Sequence, residues 1–134
     1  YKYSSGTIDV GNTVTLTSTG VIHDDDADSD NAYIQTNPIN VADKDSVSIS
    51  VVGGYTQSSS RTTSKVVFEV RGENDTESFS WKGGTSPSGS TSHSLTNKNE
   101  VELVIKSVAD AETYGYDDTD YSTSSVEIDA ISIT

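Results

Sequence analysis

A chain of 134 residues with 21 acidic side chains against 8 Lys and Arg, a formal charge of −13, has no basic footprint to displace counterions from phosphates, which excludes nucleic acid as a partner. Attraction to an anionic membrane surface fails for the same reason, and no apolar run is long enough to be inserted across a bilayer. Cysteine is absent, so disulfides, thiolate nucleophiles and thiolate metal sites are excluded as well.

The hydrophobic fraction is only 31%, but the apolar residues recur at period two, which is the mark of half-buried strands and not of a disordered chain. Thr7-Ile8-Asp9-Val10 reads as a first strand, Gly11-Asn12 as a turn, and Thr13 to Thr17 as a second strand, with Val21-Ile22-His23 after it. The acidic run Asp24 to Asp30 reads as a loop. Ala32 to Thr36 is a strand that Pro38 interrupts, as at an edge or bend, and Ile39 and Val41 resume it. Ser46 to Val51 alternates cleanly. Gly53-Gly54-Tyr55 and the Ser/Thr-rich stretch to Ser64 read as a mobile loop.

Lys65 to Arg71 puts Val66, Phe68 and Val70 inward and Val67, Glu69 and Arg71 on the other face. Gly72 to Thr76 has hairpin chemistry, and Glu77 to Lys82 returns with Phe79 and Trp81 on one side. After a flexible Gly83–Ser90 loop, His93 to Leu95 is a brief strand and Glu100 to Lys106 a longer one. Ala109 to Ser124 reads as a long irregular segment. The closing stretch Ser125 to Thr134 puts Val126, Ile128 and Ala130 on one side, and the apolar positions then slip to Ile131 and Ile133, which predicts a bulge after Ala130. These elements predict an all-β fold, a sandwich or barrel of about eight strands, in one domain spanning residues 1–134. The abrupt start at Tyr1-Lys2-Tyr3, without a signal peptide, reads as a mature product or a segment of something larger.

Two acidic clusters have the oxygen density that Ca2+ requires. In the first, Asp26, Asp28 and Asp30 alternate, with Asp24 beside them; the glycine and distal glutamate of an EF-hand are missing, and the alternative is a solvated loop. The second is Asp117-Asp118-Thr119-Asp120. Asp129, a poor strand former between Ile128 and Ala130, is either a cation ligand or part of a solvated outer face. Trp81, the one tryptophan, is either core beside Phe79 or a platform for a sugar ring, with Lys82, Arg71 and Glu69 as neighbours that reach hydroxyls. Tyr55, Tyr114 and Tyr116 fall in expected loops, where large rings serve a binding surface or pin the loop. His23 and His93 stand in unrelated polar contexts and read as surface residues. With no nucleophile elbow, HExxH or phosphate-binding glycine loop, no enzyme activity is expected.

Ile34-Gln35-Thr36-Asn37-Pro38-Ile39-Asn40-Val41, followed by Val47-Ser48-Ile49-Ser50-Val51, resembles the early strands of jelly-roll carbohydrate-binding modules of the galactose-binding-like type. Val126-Glu127-Ile128-Asp129-Ala130-Ile131-Ser132-Ile133 is similar to their final strand. The resemblance implies an antiparallel β-sandwich (jelly roll) and a non-catalytic module for a cell-surface or polysaccharide glycan, with Trp81, Tyr55, Tyr114 and Tyr116 at the sugar, to which the reading of Trp81's neighbours adds Arg71. It also implies a structural Ca2+ with Asp129 as a ligand, completed by Asp9 or by the Asp24–Asp30 run. Such modules occur in secreted glycan-active proteins, surface adhesins and phage tail or baseplate proteins, so the expected setting is extracellular or on a virion, joined to other domains. The alternative is a structural or adhesion domain that makes protein contacts without a sugar site.

Overall fold

The structure, a computed structural model, describes residues 7–10, 14–23, 26–28, 30–57, 62–82, 87–111 and 120–134. All regular structure among these is strand: β1 (Thr7–Val10), β2 (Val14–His23), β3 (Asp26–Asp28), β4 (Asp30–Gln35), β5 (Ile39–Asn40), β6 (Ser46–Gln57), β7 (Thr62–Arg71), β8 (Thr76–Lys82), β9 (Gly89–Ser94), β10 (Glu100–Ala111) and β11 (Asp120–Ile133). They form two antiparallel sheets, one in the order β1-β2-β11-β6-β9 with β3 added to β2, the other in the order β4-β10-β7-β8 with β5 added to β10. The chain crosses between the layers after β3, β5, β6, β8, β9 and β10. The expected antiparallel β-sandwich is what forms. Strands number more than eight because the short β1, β3 and β5 pair with longer neighbours.

The inward positions are those that the alternation assigns. Leu16, Val47, Ile49, Val51, Val126 and Ile128 from one sheet pack on Val66, Phe68, Val70, Val101, Leu103 and Ile105 from the other. Trp81 is partly buried and packs on this core, and Phe79 meets it edge-on at 4.8 Å between ring centroids. Toward one end the interior turns polar. There the Ser107 hydroxyl donates to the Ser124 carbonyl at 2.6 Å, and the Ser124 hydroxyl donates to the Lys65 carbonyl at 2.8 Å. Both serines are fully buried, so these bonds satisfy groups that have no access to water.

Three stretches expected as loops are partly strand. The segment after Val51 continues β6 to Gln57, because β11 remains paired with it: Val126 stands opposite Gly54 and Ser125 opposite Tyr55. Glycine is required there. Gly54 has φ of +152°, and a Cβ would come within 2.4 Å of the Ser125 carbonyl oxygen. The acidic run also enters the sheets, as β3 on β2 and as the start of β4 on β10, where backbone pairing outweighs the poor strand propensity of aspartate. The segment expected to be irregular from Ala109 is strand to Ala111 and again from Asp120.

The parity slip in the closing strand is real but falls one residue earlier than expected. Ile128 pairs with Val51 and Ala130 with Ser50, so Asp129 has no opposite residue in β6, and Val52 none in β11. Both strands change face at the same level, which preserves the register beyond it. Ala130 therefore leaves the core face and is exposed; Ile133, opposite Val47, packs on the core, while Ile131, opposite Ile49, remains 40% exposed.

Candidate functional site

Four strands of one sheet present an outer face that the register lays out as a grid. Across β4, β10, β7 and β8, one row reads Tyr33, Lys106, Val67, Ser80, and the next Gln35, Val104, Glu69, Ser78. A third row, Asn31, Val108 and Lys65, lies on one side, and Glu102, Arg71 and Thr76 lie on the other. The face is concave. It encloses a shallow groove of about 540 Å³ lined by Tyr33, Gln35, Lys65, Glu69, Arg71, Lys106 and their neighbours.

Its floor is apolar although it points away from the core. Val104 is fully buried and Val67 is 7% exposed, yet both lie on the face opposite Phe68 and Leu103. Their neighbours in the register include Tyr33, Gln35, Glu69 and Lys106, long side chains of the kind that shield an apolar floor with their stems. Glu69 fixes two of these side chains: Oε2 accepts from Arg71 Nε at 2.8 Å, and Oε1 lies 3.0 Å from Lys106 Nζ. Partial burial works against the charge of Glu69, but the hydrogen bonds and positive charges of Lys106 and Arg71 outweigh it and hold its carboxyl below the usual range. Gln35 is fixed as well, donating from Nε2 to Glu102 at 2.6 Å. The groove therefore offers a half-buried ring, an oriented amide and two oriented cations over an apolar floor, with hydroxyls of Ser78 and Ser80 along one side. Arg71 also lines a second recess, of about 390 Å³, together with Glu73, Glu100 and Glu102.

Of the residues expected at a sugar, Arg71 lies in this groove. Trp81 does not. Opposite Val66 in register, it sits on the inner face of the sheet and toward the other end of β7, so the expected cluster of Trp81 with Arg71 and Glu69 does not assemble. Tyr55 lies in β6 of the other sheet, and its side chain falls outside the described residues, as do Tyr114 and Tyr116 altogether.

Among the expected Ca2+ ligands, Asp24 is outside the described residues, as are Asp117 and Asp118, while Asp26, Asp28, Asp30 and Asp120 are described by backbone only. Asp129 is exposed at the parity slip. Asp28 pairs with Val21 near one end of β2, whereas Asp129 lies beyond Val14 at the other, roughly 23 Å away at about 3.3 Å per residue. One ion cannot join them. Asp9, in register with Thr15 and through it with Glu127, is the acid on β1 that lies toward Asp129. Among the described residues, no group of three His, Asp or Glu is arranged to hold a metal.

No family model matches the chain, and no curated protein is significantly similar to it.

Sequence reasoning missed Tyr33, Gln35, Lys65 and Lys106. The signal was present: in Ala32-Tyr33-Ile34-Gln35 the small and apolar residues take the inward positions, which leaves a large ring and an amide facing out. The surface reading of His93 is corrected. Opposite the buried Val47, its side chain is 13% exposed, its ring lies 5.3 Å from that of Phe68, and Nδ1 is 3.5 Å from Glu77 Oε2. Its Nε2 is buried with no hydrogen-bond partner among the described residues.

Proposed function

We propose that this domain is a non-catalytic carbohydrate-binding module that takes a glycan chain along the groove on the outer face of β4, β10, β7 and β8, as part of a secreted or virion-surface protein. The observation that carries the reading is the joint presence of a half-buried Tyr33 ring and the oriented polar groups of Gln35, Glu69, Arg71 and Lys106 over a valine floor. A sugar ring has an apolar CH face and a rim of hydroxyls. The first packs on an aromatic or aliphatic surface, and the second needs donors and acceptors already held in place. The open, shallow shape suits a chain that lies across the sheet and leaves at both sides. Affinity per site is modest, and several copies in a larger assembly supply the rest. A structural Ca2+ on the acidic run of β3 and β4 belongs to the same proposal.

Affinity electrophoresis through gels containing soluble polysaccharides tests it. Retardation by at least one glycan, lost in Tyr33→Ala and kept in Trp81→Phe, is the expected result. Loss in Trp81→Phe with retention in Tyr33→Ala returns the site to the inner-face tryptophan. No retardation by any glycan, with a partner protein retained instead, supports an adhesion domain that makes protein contacts.

A further inference from the structure

The groove is positive in a strongly negative protein. Three of the chain's 8 cations, Lys65, Arg71 and Lys106, line it with one carboxylate, Glu69, and a second, Glu102, stands at its edge opposite Arg71, bound to the Gln35 amide. Glu69 does not use up their donors. It engages the Nε edge of Arg71, and the terminal nitrogens of that guanidinium donate to no other described residue. Lys106 gives it one contact of the three that an ammonium group can make. The Lys65 side chain is exposed. Resting on the carbohydrate reading above, we propose that the ligand is an anionic polysaccharide whose carboxylates or sulfates are met by Lys65, Lys106 and Arg71. The three positions are spread over the six-residue step from Lys65 to Arg71, roughly 20 Å at about 3.3 Å per residue, so they meet successive charged units and not one anion.

The rest of the protein does not forbid this. At physiological ionic strength the screening length is about 8 Å, so acids on the far sheet contribute little at the groove, and among the described side chains the local balance is three cations to two carboxylates, Glu69 and Glu102. The positive stretch also has a defined end. The recess carries Glu102 directly opposite Arg71 and Glu73 and Glu100 beyond it, which repel a further anionic unit past Arg71.

The test is calorimetric titration of the whole domain, at about 0.15 M salt, with polygalacturonate, dextran sulfate and a neutral galactan. Binding to a polyanion at least tenfold tighter than to the neutral chain is expected. It should weaken at least fivefold in Lys65→Gln and tenfold in Lys106→Gln or Arg71→Gln, and stay unchanged in Lys44→Gln, which lies away from the groove. The uronate and sulfate arms identify which anion is read. Lys65→Gln keeps the test valid if loss of the Glu69 pairs unfolds the other variants, because the Lys65 side chain is exposed. Tighter binding to the neutral chain, or polyanion binding that Lys65→Gln and Lys106→Gln leave intact, overturns the anionic ligand and leaves the carbohydrate reading standing. Binding to none of the three overturns the anionic ligand too, and with the full range of gels also blank, the carbohydrate reading falls with it.

Discussion

Lys106 on β10 and Glu69 on β7 meet diagonally, Nζ to Oε1 at 3.0 Å, although the residue directly opposite Glu69 is Val104. The diagonal lays the lysine stem over the valine floor and brings its charge toward Arg71, which holds the other oxygen of the same carboxylate. Glu69 is thus the hub that orders the groove, and its side chain is 15% exposed.

The hub has a pH signature. The folded carboxyl of Glu69 is held below its ordinary value of 4.5, so the stability it contributes is complete above that value and is lost as pH falls through the lowered one. Glu69→Gln removes this dependence. Urea melts should find wild type more stable by about 1 kcal/mol at pH ~7, with the gap closing as the pH falls through the lowered value. A gap that widens in acid contradicts the pairing.

Gly54 is the backbone position least able to accept a side chain. With φ of +152° and a Cβ 2.4 Å from the Ser125 carbonyl oxygen, Gly54→Ala should cost about 3 kcal/mol in chemical denaturation. Gly53→Ala is the control. There the nearest atom, at 3.0 Å, is the tip of the exposed Glu127 side chain, which can swing aside, and the cost should stay under about 1 kcal/mol. Equal costs at the two sites contradict the close approach of β11 at Gly54.

This pair also marks how far the fold was legible. Period two assigned Val66, Phe68 and Val70 inward and Glu69 and Arg71 outward, and with them the two layers, because burial on one side leaves a signal in every second residue. Gly53-Gly54 read as a loop because glycine signals turns on its own. Its reason here is a neighbouring strand's carbonyl, 71 residues away in sequence. The candidate site was less legible for a related reason. Arg71 was found, but Tyr33 and Lys106 join it only through the register of β4, β10 and β7, which no local pattern announces. Trp81 drew attention as the one tryptophan, yet its inward position follows from the same alternation as that of Val66.

Trp81 therefore reports on folding and not on the groove. Its emission should stay constant while a glycan saturates the domain, and should shift to the red when urea unfolds it, since the ring packs on the core. A saturable change in emission with the same midpoint as binding assigns the ligand to the inner-face edge of β8 instead.

Calcium, if carried by the acidic run alone, raises the Tm of wild type and of Asp129→Asn alike, and a chelator reverses both. The separation of Asp129 from β3 along β2 is the reason. A Tm rise abolished by Asp129→Asn assigns the ion to the final strand, and no rise in either protein removes calcium from the proposal.

The most direct measurement is an amide chemical-shift map of the labelled domain titrated with a short oligogalacturonate. Shifts that saturate together at Tyr33, Gln35, Val67, Glu69, Val104 and Lys106, with β6, β9 and β11 unchanged, are the expected result. Saturable shifts confined to β8 around Trp81, or to the sheet of β6 and β11, contradict a ligand on the outer face.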